Sequence, residues 1–227
     1  MRFFQDVLTK YDLTLKRQIQ SSVDPIKARD QEGRTSLCLA ALIGNQDIVA
    51  ELLARQPDII DARDNFDNTA LIIAATHNHA DVVDRLLEAG ANKNSKDNLG
   101  RTALMKAALN HCSDVVDRLL NAGANKDDKD KGGATALMYA AQKGSSDIVD
   151  RLLKAGANQY DRDNFGSTAL MYAAIEGHVE VVDKLLNAGI DKDVADQFGE
   201  TALDLATDAG HTDVISRLTN ITNFKNL

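Results

Sequence analysis

Asp163-Asn164-Phe165-Gly166-Ser167-Thr168-Ala169-Leu170-Met171-Tyr172-Ala173-Ala174, followed by Gly177 and by a second apolar run that ends at Gly189, decides how this chain folds, because it recurs. Its kernel of Thr, a small residue and Leu stands at Thr35-Ser36-Leu37, Thr69-Ala70-Leu71, Thr102-Ala103-Leu104, Thr135-Ala136-Leu137, Thr168-Ala169-Leu170 and Thr201-Ala202-Leu203. Successive threonines lie 34, 33, 33, 33 and 33 residues apart. A fixed period of this size predicts stacked units, each burying its apolar face only against its neighbours.

Each part of the unit has a physical reason. Asp30, Asp64, Asp97, Asp130, Asp163 and Asp196 open a turn in which the carboxylate bonds backbone amides and a following Gly tolerates positive φ. Thr then caps a short helix with its hydroxyl. Leu170, Ala173 and Ala174 share one helical face, and the paired alanines let the next unit approach closely. Nine residues after each Thr stands Gly44, Asn78, His111, Gly144, Gly177 or Gly210, the residue of a left-handed helix end; His111 carries strain there. A second helix follows with apolar pairs four apart, such as Val115-Val116 with Leu119-Leu120. Asp81 with Arg85, Asp114 with Arg118, Asp147 with Arg151 and Glu180 with Lys184 are spaced for i,i+4 ion pairs within that helix, a solubilising surface.

This order of residues resembles the ankyrin repeat over about residues 30–219, as six units. The resemblance implies an all-α solenoid of helix-turn-helix units joined by β-turn finger loops. The chain departs from the usual Thr-Pro-Leu-His: Pro is Ala or Ser, and the His position holds Cys38, Ile72, Met105, Met138, Met171 or Asp204. The inter-repeat hydrogen bonds of that His are expected to be absent, with apolar packing in their place. One domain spans 1–227: capping helices over 1–29, regular repeats over 30–198, and a capping repeat with tail over 199–227. Phe3, Phe4, Val7, Leu8, Leu13, Leu15 and Ile19 are the inward candidates of the first cap. At the other end Thr207 and Thr219 replace an expected Ala and Leu, as an open stack needs polar ends. The extra residue of the first unit, within Gln56-Pro57-Asp58-Ile59-Ile60, is expected to lengthen a finger loop.

Composition narrows the partners. A formal charge of -8 on 227 residues opposes a phosphate backbone, and no basic stripe with interleaved aromatics overrides it. Nucleic acid is therefore excluded as a partner. No apolar run reaches the length of a membrane span, and Met1-Arg2-Phe3-Phe4-Gln5-Asp6 lacks the apolar run of a signal peptide. Cys38 and Cys112 sit more than one unit apart, too far to bridge when stacked helices are about 8–10 Å apart. A cytoplasmic protein in a reducing compartment is the expectation; delivery to a host by a route without an N-terminal signal would leave no mark of this kind.

Chemistry has few candidates. His77, His79, His111 and Cys112 gather at one edge in the zinc-ligand style, yet each has a repeat-position explanation, and neither metal nor cofactor is expected. Asp127-Asp128-Lys129-Asp130 and the loop opened by Asp161 are read as solvated turns, since Tyr172 stands where a calcium loop needs its distal Glu. No catalytic set is recognised, and the chain is read as no enzyme.

Recognition belongs to positions that vary between units. In ankyrin-like stacks the residues four, seven and eight after each Thr line the concave groove, and they run here from Leu39, Leu42 and Ile43 through Ile73, Thr76 and His77 to Tyr172, Ile175 and Glu176. The finger tips are Glu32, Phe66, Leu99, Gly132, Phe165 and Phe198. Aromatics ringed by charge make binding hot spots. The partner-binding candidates are Tyr139, Tyr172, Phe165, Phe198, Phe66, Leu99, Lys106, Lys143, Glu176 and Arg101. The expected function is that of a protein-protein interaction module or adaptor, monomeric, binding a protein partner through groove and fingers. The alternatives are a structural, self-associating repeat protein and, behind it, metal-dependent activity at the His/Cys edge.

Overall fold

Each threonine of the repeated kernel starts a helix. The computed structural model describes residues 29–220; the first-cap candidates from Phe3 to Ile19 and the tail after Asn220 lie outside the described residues. The helices are α1 Ser36–Ile43, α2 Gln46–Arg55, α3 Ala70–Thr76, α4 Ala80–Glu88, α5 Ala103–Leu109, α6 Ser113–Asn121, α7 Ala136–Gln142, α8 Ser146–Lys154, α9 Ala169–Ile175, α10 Val179–Asn187, α11 Ala202–Asp208 and α12 Thr212–Asn220. Among the described residues there is no β-strand, only an isolated bridge between Ala195 and Thr201. The fold is all-α.

Odd-numbered helices pack on odd and even on even along the chain, and each odd helix packs on the even helix that follows it. The core is one continuous cluster between these two layers. Leu104, Ala107 and Ala108 of α5 are buried between α3 and α7, and Leu170, Ala173 and Ala174 repeat the arrangement in α9. The caps are as the sequence predicts: each Thr hydroxyl accepts the amide three residues on, as Thr35 does from Cys38 at 3.2 Å. In α5 and α9 a methionine closes the cap from the other side, Met105 and Met171 sulfurs accepting the Thr102 and Thr168 amides at 3.5 and 3.4 Å.

The unit-to-unit joints are more polar than expected. Cys38, at the position of the missing His, donates its thiol to the Ala62 carbonyl of the following linker at 3.9 Å, so an inter-repeat bond survives there. Burial raises the Cys38 and Cys112 thiol pKa values, which keeps both protonated and free. A second joint involves the residue before each finger Asp. Arg29 donates to the Arg63 carbonyl, Arg63 to Lys96, Lys96 to Lys129, Lys129 to Arg162 and Arg162 to Ala195, one cationic rung per repeat.

Three expectations are corrected. The four expected pairs of the second helices do not form, although Arg55 with Glu51, Arg85 with Glu88 and Lys154 with Asp150 pair within their own helices. Arg118 reaches Asp84, Arg151 reaches Asp117, Lys184 reaches Asp150 and Arg217 reaches Asp183, each on the preceding unit. The parallel neighbouring helix offers a carboxylate on the buried flank of the cation, where water screens less than at the outermost Asp81, Asp114 or Asp147. The extra residue of the first unit is absorbed after α2, not in a finger: Pro57–Ile59 form a 3-10 turn that buries Ile59. Ile73, read as a groove residue, is buried.

Candidate functional site

The fingers are small hydrogen-bonded loops built on one carboxylate. Asp163 Oδ1 accepts the amides of Phe165 and Ser167 at 2.9 and 2.8 Å, and the Asp163 amide returns to the Ser167 carbonyl. The same pattern holds Asp30, Asp64, Asp97, Asp130 and Asp196. Neighbouring fingers are joined by one backbone bond each, such as Gln197 amide to Phe165 carbonyl at 2.9 Å. With the loop bonded inward, its tip has nowhere to go but solvent. Phe66, Leu99, Phe165 and Phe198 are 50%, 49%, 55% and 70% exposed, so four of the six tips present large apolar side chains to water.

The second oxygen of each carboxylate is answered differently along the stack. Arg34 pairs with Asp30 and Arg101 with Asp97, both from the position four after the Asp. Lys106 adds a longer contact to Asp97 at 3.8 Å. Where that fourth position is Ala134 or Ser167, a tyrosine nine residues after the Asp takes over: Tyr139 and Tyr172 donate to Asp130 and Asp163 at 2.6 and 2.7 Å. Both phenols are pushed above the usual tyrosine range, by burial first and then by bonding to the carboxylates. Burial and then Arg101 push Lys106 down, more than Asp97 restores.

Two clefts lie between the fingers and the first helices. One, lined by Glu32, Arg34, Asp64, Phe66, His77 and Lys106 among others, has burial, then His79, Lys106 and Arg34, lowering the His77 pKa, so this ring is neutral at pH 7. The other, of about 220 Å³, is bounded by Tyr139, Tyr172 and Phe165 and by Asp130 and Asp163. The sequence candidates Phe66 and Lys106 thus meet in the first, and Tyr139, Tyr172 and Phe165 in the second. Leu99, Arg101, Lys143, Glu176 and Phe198 line neither.

The His/Cys edge is built for stacking. His79, His178 and His211 each donate Nε2–H to a carbonyl of the preceding unit, at Leu42, Gln142 and Ile175 (3.0, 3.0 and 2.8 Å). Each ring rests on the glycine that ends the earlier helix; a Cβ on Gly44, Gly144 or Gly177 would fall 2.5–2.7 Å from it. Where the helix end is instead Asn78 or His111, both at positive φ, the facing residue is the small Cys112 or Ser145, and Ser145 Oγ lies 2.6 Å from His111 Nδ1. His77 and His79 stack with ring centres 6.3 Å apart. Among the described residues no three His, Cys, Asp or Glu side chains converge to hold a metal ion. The sequence shows the glycine and histidine columns separately; the signal of their role is that a His stands 34 or 35 residues after a helix-ending Gly.

The chain belongs to the ankyrin repeat family: the family model for ankyrin repeats (3 copies) matches residues 8–97, 90–163 and 137–226. No curated protein matches it. Ankyrin repeats are in general protein-protein interaction modules that bind protein partners, and the family is typically non-enzymatic. No helix among the described residues is long and apolar enough to cross a membrane.

Proposed function

We propose that this chain is a non-enzymatic, monomeric interaction module of the cytoplasm that binds a partner protein through its finger tips and the groove beneath them. The observation that carries the reading is the row of exposed Phe66, Leu99, Phe165 and Phe198 on loops whose backbone amides are held by the finger aspartates. Water-exposed aromatics on a hydrogen-bonded frame lose little conformational freedom on docking, which favours affinity. Lys106, Arg101, Lys143 and Glu176 supply charge around that row, and Tyr139 and Tyr172 form its floor.

The experiment is affinity capture from the native cell with wild type and with a variant carrying Phe66→Ser, Leu99→Ser and Phe198→Ser. The variant is expected to keep its unfolding midpoint and lose the captured partner. Retention of the same partner would overturn the reading. Sedimentation of the purified chain checks the oligomeric state, where a concentration-independent monomer is expected and a growing mass would favour self-association.

A further inference from the structure

We propose that the cleft between the fourth and fifth fingers is a subsite for a basic side chain of the partner protein, arginine above all; this rests on the reading of the groove as a protein-binding surface. The argument is one of missing charge. Asp30 and Asp97 are each neutralised by a cation of their own unit, Arg34 and Arg101, the latter helped by Lys106. Asp130 and Asp163 receive only neutral donors, two backbone amides and one phenol each. Asp163 is also one of three buried carboxylates among the described residues, with Asp64 and Asp97. The cleft lining contains both of these aspartates and no cationic side chain, whereas the neighbouring cleft contains Arg34 and Lys106.

Among the nearby cations, Lys131 and Lys143 are exposed and outside the cleft lining, and two others are committed elsewhere. Arg162 bonds the Gly166 and Ala195 carbonyls, and Lys129 bonds the Arg162 carbonyl and pairs with Asp161. Two uncompensated carboxylates in a partly dry cleft attract a cation more strongly than the same groups in water. The walls add selectivity. Tyr139, Tyr172 and Phe165 line the cleft, and a guanidinium is flat, weakly hydrated and suited to stacking on aromatics beside carboxylates. Burial first and then the two carboxylates raise both phenol pKa values, with Arg101 of the third unit opposing the shift at Tyr139.

The test is a nuclear magnetic resonance titration of the full chain with acetyl-arginine methylamide, with the lysine and glutamate analogues as comparison arms. Arginine is expected to shift the amides of Gly132, Phe165 and Tyr172, lysine to shift them less, and glutamate not at all. Asp130→Asn with Asp163→Asn should weaken the arginine response about tenfold or more, the scale of one desolvated cation-aromatic-carboxylate contact. Should that variant unfold, Ala134→Arg with Tyr139→Lys copies the third unit's Arg101 and Lys106 into the fourth; it should fold and lose the response. Arginine acting no more strongly than glutamate, or an undiminished response in a folded variant, would overturn the subsite, and lysine acting as strongly as arginine would overturn the preference. Capture of a partner that depends on Phe66, Leu99 and Phe198 while arginine leaves the cleft amides unmoved would sink the subsite and leave the groove reading standing.

Discussion

Gly44, Gly144 and Gly177 at the ends of their first helices each answer two demands, and only one is visible within a single repeat. Gly144 has φ 69°, which a side chain resists; it also leaves room for the His178 ring. Gly144→His should therefore cost about 2–4 kcal/mol in urea unfolding, from strain plus overlap. Adding His178→Ser, which copies the His111–Ser145 pair, should recover a measurable part of that loss. Strict additivity of the two changes would refute the coupling. Asp67 stands at φ 62° where the other fingers have glycine, so Asp67→Gly should stabilise the chain by about 0.5–1 kcal/mol. The tyrosines carry a pH signature. Their folded pKa values lie above the unfolded value of 10.0, so the stability they contribute is complete below pH 10 and falls as pH rises further toward the folded values. Tyr139→Phe with Tyr172→Phe should flatten that alkaline decline in a series of thermal melts. The turn aspartates, threonine caps and glycine φ were legible from residue type alone. The tyrosine clamps were not, because reading them requires seeing that Ala134 and Ser167 leave a carboxylate for a residue five positions on.

At the scale of helices and loops, the sequence predicts the paired helices of each unit, misses the 3-10 turn Pro57–Ile59 and mispairs the charges. Spacing of three or four along one helix suggests i,i+4 partners, yet Arg118, Arg151, Lys184 and Arg217 all turn to an aspartate of the preceding unit. A period of thirty-odd residues sets up a second lattice of neighbours across the stack, as close as those along the helix. The cationic rungs from Arg29 to Arg162 obey the same lattice. A double-mutant cycle between Arg151 and Asp117 should give a coupling of about 0.3–1 kcal/mol that shrinks with salt, and one between Arg151 and Asp147 close to none. The reverse order would restore the intrahelical reading. His79, His178 and His211 belong to this lattice too, which is why an edge that looks like a metal site from composition is a set of joints in the structure.

Across the described residues, the same few columns build the support, and the varying finger tips Phe66, Leu99, Phe165 and Phe198 face solvent. Leu104 is fully enclosed, and Leu104→Ala should cost about 2–5 kcal/mol in urea unfolding. The tip rings of Phe66, Phe165 and Phe198 are at least half exposed and contribute little to that support. The final described unit tapers as an open end should: Thr207 and Thr219 are exposed, their hydroxyls bonded back to the Leu203 and Ile215 carbonyls of their own helices. The central claim, that recognition happens at finger tips and groove, is tested most directly by site-specific photo-crosslinking in the native cell. A photoreactive phenylalanine at position 165 should yield one adduct with a partner protein, and the same residue at position 85, on the outer face of α4, should yield none. Adducts from position 85 and not from 165 would contradict the account.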